Sequence, residues 1–553
     1  MNEIFRLRPK PMLSVLSAAY TAAAAYTAAA AQQRTPPQSR TITDAIHHSI
    51  ELHPLVALVV DSTEFQRLRG IHQLGSCHYV FPSAVHDRFQ HSLGVYHLSR
   101  EWAEHFQRLQ PELAITDTDI LCVSLAGLLH DLGHGPMSHF WETLFEDVEA
   151  RPRHEDLSHE LVSRLFRSID ASSWLSPDDL EFVQALIAGE PGLATHAAMR
   201  LGDAGVCGSD KGFLYDIVAN KRSGLDVDKL DYFERDSYFA GVVKVSFDAG
   251  RLMRLARVAL ADEGRLRVCF PIKCLHEVLH VFQTRYALHV ELYQHRVSAA
   301  IDLMLRDAIE LVDASDVLRL HGRDGQALRL SECGGAKDDD LVGFLQLNDG
   351  ILQLVDFEAT RARYMGVQDE RLQAASKLLA RLRQRQLYRF VGSVVLEAGE
   401  VRRRGWGTRA GLLPIVAEVA ELTTTTSGAT PIHDTSLRVD VRRVHYGRGA
   451  ENPLDGVRFF DKKHGGGVSG AEMVSNAASA PVGQGSLMLH ARREPSAEHL
   501  AMLPQSFEEE SLRLYVTETH ADAVTSCRAA FDAWCELQGW CNDECVLDAA
   551  PQL

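Results

Sequence analysis

A histidine and an aspartate stand side by side where a long apolar run ends. Ile120–Leu129 is followed by His130 and Asp131, and the chain then continues through two glycines to His139. An imidazole nitrogen and a carboxylate oxygen presented at one helix end can bind the same cation. The glycines carry no side chains, so we expect them to leave room for a ligand.

Two further sets of polar and aromatic residues recur at every fourth position, which places each set on one face of a helix. The first set is Asp228, Tyr232 and Asp236, with Lys229 one position round the helix, and the second is Arg285, His289 and Tyr293. Such stripes make poor core faces, so two of them suggest one shared pocket. A solvated helix face is the alternative for the first set, and coincidence is the alternative for His289 alone.

The elements that must position these residues are mostly helices. The pattern is helical from Ile42 to about Leu320 and again over Leu372–Val391. Beyond Ser393 the pattern predicts strands and then a closing helix: Leu412–Val419, Leu437–Val444, Ser511–Thr517 and the helix Ala521–Leu537. The predicted fold class is mainly α, with a large helical domain followed by a smaller C-terminal α+β lobe.

We divide the chain into an extension (1–40), a helical domain (41–320) and a C-terminal lobe (321–553). The extension has five basic residues, one acidic residue and an alanine-rich tract, which is typical of a transit peptide or of a disordered extension. A generous choice of start codon is a third explanation. In the lobe, composition predicts disordered insertions near 423–430 and 465–485.

Composition excludes several classes of protein. The chain has 553 residues, of which 46% are hydrophobic and 24% charged, and its net charge of -17 opposes general binding to duplex nucleic acid. No apolar run is long enough for a membrane span. Ten cysteines are too few for a disulfide scaffold. We expect an intracellular protein of the nucleus or cytosol, or of the mitochondrion if the extension is a transit peptide.

Five blocks of sequence resemble, in order, the deoxynucleoside triphosphate triphosphohydrolases that combine a sterile alpha motif with an HD domain. The blocks are Asp61–Gly75, Tyr79–Val95, Ala126–Glu142, Asn220–Asp236 and Phe282–Gln294. The sterile alpha motif has no counterpart in this sequence. The resemblance implies an HD-domain helical core and hydrolysis of dNTPs to deoxynucleoside and triphosphate, an activity that controls dNTP pools.

The resemblance also implies a metal site and four catalytic residues. The metal ligands would be two histidines and two aspartates: His91, His130, Asp131 and Asp228. This nitrogen and oxygen set suits Fe, Mn, Zn or Mg. The residues assisting proton transfer would be His134 and His139, with Glu142 and His154 as a supporting pair. The family usually has Asp at the position of Glu142, and His159 competes with His154.

Substrate contacts follow from the same resemblance. The triphosphate would be neutralised by Arg88, Lys229 and Arg285. The sugar would meet Gln73 and Asp236 at its 3′-hydroxyl, Tyr232 beneath its ring and Tyr293 where a ribose 2′-hydroxyl would lie, and the base would meet Leu74. We therefore expect all four dNTPs to be accepted.

Two activator sites are implied as well. Asp61, Gln66 and Arg69 match the family's pocket for GTP or dGTP, although Arg40 and Thr43 replace Lys and Asn. The second site is matched by Arg257, Lys273, His295, Arg296 and Lys462, but Pro271 and Glu291 replace basic residues. We expect a homotetramer promoted by guanine nucleotide, with a weakened second site.

Two other functions stay open at this stage. One is an HD-domain phosphohydrolase that acts on mono- or cyclic nucleotides. The other is a catalytically weak regulator that binds single-stranded nucleic acid through a local basic groove.

Overall fold

The computed structural model describes residues 38–145, 152–169, 171–190, 206, 208–261, 264–323, 325–335, 338–425, 431–460, 503–504 and 506–540. Residues 1–37 of the extension, Lys462, the insertion at 465–485 and residues 426–430 lie outside these ranges. A search of the described helices for a segment with the length and apolar character of a membrane span finds none.

The described ranges are mainly helical, as the sequence predicts. The helices are α1 Pro54–Val60, α2 Thr63–Gln66, α3 Arg88–Leu109, α4 Asp117–Leu129, α5 His139–Thr143, α6 His154–Ile169, α7 Pro177–Ala188, α8 Tyr215–Val218, α9 Val227–Ala240, α10 Ala249–Leu255, α11 Leu275–Leu288, α12 Arg296–Ala314, α13 Asp338–Phe344, α14 Ile351–Tyr364, α15 Glu370–Arg383, α16 Glu400–Arg403, α17 Arg409–Thr425 and α18 Ala521–Leu537. The strands are β1 Arg40–Asp44, β2 His48–Leu52, β3 Arg257–Leu260, β4 Leu266–Pro271, β5 Leu320–His321, β6 Ala327–Leu328, β7 Arg389–Leu396, β8 Leu437–His445, β9 Phe459–Phe460 and β10 Glu508–Val516.

Helices α3, α4 and α9 form the core that carries the candidate site. The α3 helix begins at Asp87, whose side chain accepts a hydrogen bond from the backbone N–H of Gln90 at 2.9 Å. Its inner face buries Trp102 and Phe106 completely. The α4 helix is buried on all sides from Cys122 onward, so it packs as a central helix and not as a surface one.

The second polar stripe, Arg285, His289 and Tyr293, does not lie on one α-helix. The α11 helix ends at Leu288, a π-helical turn follows over His289–Tyr293, and α12 starts at Arg296 with the His295 side chain as its cap. This interruption between α11 and α12 falls within the polar stripe. The stripe of every fourth residue therefore crosses from an α-helix into a π turn.

The C-terminal lobe is an antiparallel sheet in the order β7-β10-β8, covered by α17 and α18. The predictions of a strand at Leu437–Val444 and of the closing helix are confirmed. The strand prediction at Leu412–Val419 is wrong, because this run lies inside α17. Its buried residues Ile415 and Val419 are four apart, and a short apolar run does not distinguish helix from strand by its pattern.

Two boundaries also differ from the predicted ones. Thr423 belongs to α17 and donates its hydroxyl to the carbonyl of Ala420 at 2.7 Å, so helix replaces the start of the predicted insertion. The hydrophobic core of the helical domain runs on past residue 320, because α15 packs along α12 and buries Leu379 and Leu382 there. A second core begins with Val391, but the first core also includes Leu454, Val457, Phe459 and Tyr515, so no single position in the chain divides the two cores.

A buried ion network joins the first strand to the α9 helix. Arg235 is fully buried, and its guanidinium donates to both oxygens of Asp44 at 2.9 and 3.1 Å and to both oxygens of Asp231 at 2.9 Å. Burial alone would raise the pKa of Asp231, but the hydrogen bonds and charges of Arg235, His47 and His91 hold it well below its usual value. The Asp231 carboxylate is therefore ionised at neutral pH.

A second carboxyl group, that of Asp302 on α12, is partly buried and is hydrogen-bonded to a neutral hydroxyl. The Ser76 hydroxyl donates to Asp302 Oδ1 at 2.5 Å. Burial raises the pKa of Asp302 to about 7, since the Ser76 hydrogen bond and the charge of Arg306 offset burial only in part. Asp302 is therefore protonated in the folded protein over a range where an unfolded chain would ionise it.

This difference predicts a pH-dependent effect of Asp302→Asn. Between about pH 4 and pH 7 the folded state binds more protons than the unfolded state, so the free energy of unfolding falls as the pH rises. The amide removes this loss and still offers Ser76 an acceptor. We expect the Tm gain of the variant over the wild type to be a few degrees larger at pH 8 than at pH 5. Exposed Asp316→Asn is the control, and an equal gain at both pH values would contradict the assignment.

Candidate active site

Three helices bring the two histidines and two aspartates of the sequence prediction together. His91 lies in the first turn of α3, His130 and Asp131 end α4, and Asp228 lies in the first turn of α9. His91 Nε2 is 3.1 Å from Asp228 Oδ1, and His130 Nε2 is 3.4 Å from the same oxygen. His130 Nε2 is also 3.3 Å from Asp131 Oδ1. One ligand atom each from His91, His130 and Asp131 lies within 4.8 Å of the others, and Asp228 Oδ1 adjoins the two histidine rings, so a cation could be bound here.

The second nitrogen of each ring is held by a fixed partner. His91 Nδ1 is 2.7 Å from Asp231 Oδ2, and His130 Nδ1 is 2.8 Å from the carbonyl oxygen of Gly127. Both rings therefore present Nε2 to the cluster, as metal-binding histidines do when a carboxylate or carbonyl orients them. In the described part of the chain His130 Nε2 is buried and has no hydrogen-bond partner. The residues fit a divalent metal.

The electrostatics of the cluster favour a cation. Burial lowers the pKa of His91, but the hydrogen bonds of Asp228 and Asp231 outweigh it and raise that pKa to about 10. Burial likewise opposes the ionised form of Asp228, whose pKa the two histidines hold well below its usual value. Carboxylates this buried attract positive charge, whether a proton or a metal ion.

The four candidate catalytic residues form a second cluster beside the first. The ring nitrogens and carboxylate oxygens of His134, His139, Glu142 and His154 lie within 4.8 Å of one another. The His134 and His154 rings stack at 3.9 Å, and His134 Nε2 is 3.3 Å from Asp131 Oδ1. His134 is buried, whereas the His139 side chain is 71% exposed. The cluster thus runs from the metal ligands to the surface.

Glu142 connects the two outer histidines. Its Oε2 is 3.2 Å from His139 Nδ1, and its Oε1 accepts hydrogen bonds from the backbone N–H of His154 at 3.1 Å and from the His154 ring. The longer carboxylate therefore still holds both rings. The His159 side chain is half exposed, and its Nδ1 lies 3.8 Å from Glu160 Oε1. His154, and not His159, belongs to the cluster.

The glycines after His130 do not leave room for a ligand, so that expectation is wrong. A Cβ on Gly133 would lie 2.2 Å from the carbonyl oxygen of His154, and one on Gly135 would lie 2.3 Å from the Trp141 ring. The missing side chains let α6 and the Trp141 ring pack directly against the loop. They position His154 and leave no space for substrate.

The two stripes lie next to each other in the folded chain. The Tyr232 ring lies 6.3 Å from the His91 ring and 6.5 Å from the Tyr293 ring. The Tyr293 hydroxyl donates to Asp236 Oδ2 at 2.6 Å, and His86 Nε2 is 2.7 Å from the other oxygen. Burial raises the pKa of Tyr232 to about 12, against the charges of Arg285 and Lys229. The phenol is therefore neutral.

Gln73 and Leu74 precede a turn on the same side of the pocket. The Gln73 backbone N–H donates to the carbonyl of His86 at 3.0 Å. In the described part of the chain its buried side-chain oxygen has no hydrogen-bond partner. Leu74 is partly buried against the core.

The three candidate phosphate-binding cations have protein partners in this structure. Arg88 contacts Asp131 and donates to the Ser138 hydroxyl at 2.8 Å. Lys229 Nζ lies 3.1 Å from Asp226 Oδ2. Arg285 contacts the His289 ring. Arg88 and Lys229 thus already neutralise carboxylates at the site, which leaves Arg285 as the cation whose bonded partner is uncharged.

The residues of the first activator set are neighbours. Asp61 is paired with Arg40, with Oδ1 2.9 Å from a guanidinium nitrogen, and both side chains are nearly half exposed. Arg69 Nε donates to the Gln66 side-chain oxygen at 2.9 Å, and its guanidinium lies 3.5 Å from the centre of the Phe89 ring.

The second activator set is spread over several elements. Arg257 opens β3, Lys273 follows β4, and His295 and Arg296 begin α12, while Lys462 lies outside the described residues. Of the substitutions, Pro271 is buried at the end of β4 beside Phe460, and Glu291 is exposed.

Sequence reasoning missed Asp231, Asp226 and His86, which hold the proposed ligands and substrate contacts in place. Asp231 orients His91, Asp226 pairs with Lys229, and His86 bonds Asp236. Asp231 lies three residues after Asp228 and four before Arg235, so helical spacing would place it on the face of the stripe. The spacing of Asp231 and Arg235 also describes an ordinary surface ion pair, which hides its role.

Comparisons with known proteins agree with the site described above. Residues 88–236 match the HD domain family. The chain is 34% identical over 509 residues to the deoxynucleoside triphosphate triphosphohydrolase SAMHD1 of Bos taurus, covering 89% of this chain and 78% of the relative. The human protein of that name is 32% identical, with 89% and 73% covered, and the Dictyostelium discoideum SAMHD1 homolog is 30% identical, with 76% and 71% covered.

The metal-ligand geometry, the neighbouring histidine cluster and these similarities over most of the chain agree. The chain belongs to the SAMHD1 family of deoxynucleoside triphosphate triphosphohydrolases.

Proposed function

We propose that the protein hydrolyses dNTPs to deoxynucleoside and inorganic triphosphate with a divalent metal, and so limits dNTP pools. One observation carries the proposal: the Tyr232 ring lies 6.3 Å from the His91 ring, so an aromatic side chain that could pack against a sugar adjoins the metal-ligand cluster. A nucleotide with its sugar against Tyr232 and Tyr293 would have its phosphates at the cluster. The SAMHD1 relatives are named for the same reaction.

Water attack at the α-phosphorus breaks the bond to the 5′-oxygen, which leaves with a proton. His91, His130, Asp131 and Asp228 would hold the metal. When bound, a divalent cation there polarises a phosphate oxygen and lowers the pKa of a coordinated water. Proton transfer falls to His134 and His139. Glu142 orients His139, and the stacked His154 ring orients His134.

The remaining pocket residues determine which nucleotide is accepted. Asp236, held between His86 and Tyr293, can accept a hydrogen bond from the 3′-hydroxyl, as can the Gln73 side-chain oxygen. Tyr293, kept in place by its bond to Asp236, would exclude a 2′-hydroxyl. Arg285 receives the triphosphate, joined by Arg88 and Lys229 where the substrate's charge competes with their carboxylates.

Product analysis tests the proposal. Incubation with each dNTP, GTP and Mg²⁺ or Mn²⁺ should release deoxynucleoside and triphosphate in equal amounts, measured by phosphorus NMR and chromatography. His154→Ala should reduce turnover by about 10²-fold or more, whereas His159→Ala, which removes a half-exposed histidine outside the cluster, should not. Stepwise release of single phosphates, or turnover of mono- or cyclic nucleotides alone, would overturn the proposal.

We further propose activation by a guanine nucleotide through Asp61, Gln66 and Arg69, coupled to assembly of a homotetramer. The Asp61 carboxylate can pair with the guanine base edge. Arg40, which is paired with Asp61 in this structure, would then be released toward the activator's phosphates. Exposed Glu291 would repel a second triphosphate, so dNTP-driven assembly should be weaker than GTP-driven assembly.

Asp61→Ala should therefore abolish the GTP response and leave metal content unchanged. Turnover and sedimentation velocity, each measured across GTP and dNTP titrations, provide the test. Asp522→Ala, which removes an exposed carboxylate from α18, is the control. Full activity of a wild-type monomer without added nucleotide would refute the regulatory proposal and leave the catalytic one intact.

A further inference from the structure

A basic cavity of about 430 Å³ is lined by residues other than those assigned above. Its walls are the loop 219–223 that follows α8, the strand β4 and the turn 455–458. Five cationic side chains line it: Lys221, Arg222, Arg267, Arg448 and Arg458. None of these residues belongs to the metal, catalytic, substrate or activator sets.

The charge of this cavity opposes that of the whole chain. Its lining carries five cations and two anions, Asp216 and Asp455, so its formal charge is +3. The whole chain carries -17. Asp216 is buried and already engaged, because it pairs with Arg222 and accepts from the backbone N–H of Val268 at 3.1 Å. Among the described residues Glu451 also pairs with Arg448 from outside the lining, which lowers the formal charge of this set to +2.

The walls are held in place before any ligand arrives. The buried Asn220 side chain accepts hydrogen bonds from the backbone N–H groups of Arg222 and Ser223 at 3.2 and 3.0 Å. Asn220 itself donates its backbone N–H to Asp226 at 3.0 Å. A Cβ on Gly456 would lie 2.3 Å from the carbonyl oxygen of Arg222, so glycine is needed for the turn to reach the loop. A preorganised wall loses little conformational entropy on binding.

We propose that this cavity binds a polyphosphate anion of the triphosphate class. Guanidinium groups match phosphate oxygens with paired hydrogen bonds, and four arginines converge here on a space large enough for a chain of three phosphates. The ligand is either free inorganic triphosphate or the triphosphate tail of a nucleotide. Binding of this anion would not depend on the proposed hydrolysis of dNTPs.

The test compares charge-reversed variants of the full chain by isothermal titration calorimetry. Lys221→Glu combined with Arg458→Glu should remove one inorganic triphosphate site per chain, or weaken it at least tenfold. The matched control reverses an exposed lysine and an exposed arginine elsewhere, Lys377→Glu with Arg402→Glu, and should keep the wild-type titration. Lys221→Glu alone changes an exposed residue, so a smaller loss of the same site is expected even if the double variant folds poorly.

A second series uses a non-hydrolysable dATP analogue in place of inorganic triphosphate. Loss of one site for both ligands assigns the cavity to a nucleotide tail, and loss for inorganic triphosphate alone assigns it to the free anion. Unchanged stoichiometry and affinity for both ligands in the charge-reversed variants would overturn the proposal. Hydrolysis of dNTPs is measured separately, so failure of the catalytic proposal would be visible on its own.

Discussion

The site depends on the ion pair between Asp231 and the buried guanidinium of Arg235, whose remaining hydrogen bonds Asp44 accepts. A charge removed from water is costly unless it is paired and fully hydrogen-bonded, and here two carboxylates supply four bonds. This pairing connects β1 to α9. It also keeps Asp231 ionised, and Asp231 in turn fixes the ring of His91 on α3.

The rest of the site follows from that arrangement. With His91 fixed through Nδ1, its Nε2 faces Asp228 and completes a ligand set with His130 and Asp131. The packing tolerates no change at the crossing of α3 and α9, where a Cβ on Gly94 would lie 1.8 Å from Asp231 Oδ1. From Asp131 the polar contacts continue outward to the histidine cluster. The contacts that position His91 thus continue to the residues proposed for proton transfer.

Much of this could be predicted from the sequence, because helical spacing and an adjacent His-Asp pair are local properties. The adjacent His130 and Asp131 and the stripe through Asp228 and Tyr232 follow from such local patterns, whereas the proposed set of metal ligands follows from the family resemblance. What failed depends on packing between distant segments. The Gly133 backbone is close to His154 only in the folded chain, and Arg88 contacts Asp131 across 43 positions.

The same limit explains the errors in the C-terminal half. The run at Leu412–Val419 has no pattern that separates strand from helix, and its helix is selected by packing against α18 and the sheet. The helical pattern of the sequence stops near residue 320 because the short strands β5 and β6 follow there. It does not mark the end of the core, because α15 returns to α12.

Metal affinity in an Asp231→Asn variant tests the central claim most directly. The substitution keeps the size of the side chain but removes the charge that orients His91, and loss of such a partner weakens metal binding by about 10- to 100-fold. Asp44→Asn removes a charge from the same arginine without touching His91, so it should bind metal like the wild type. Mn²⁺ titration of the three proteins, with thermal unfolding as a check on folding, should show weak binding in Asp231→Asn alone. Equal affinity in all three proteins would contradict the account.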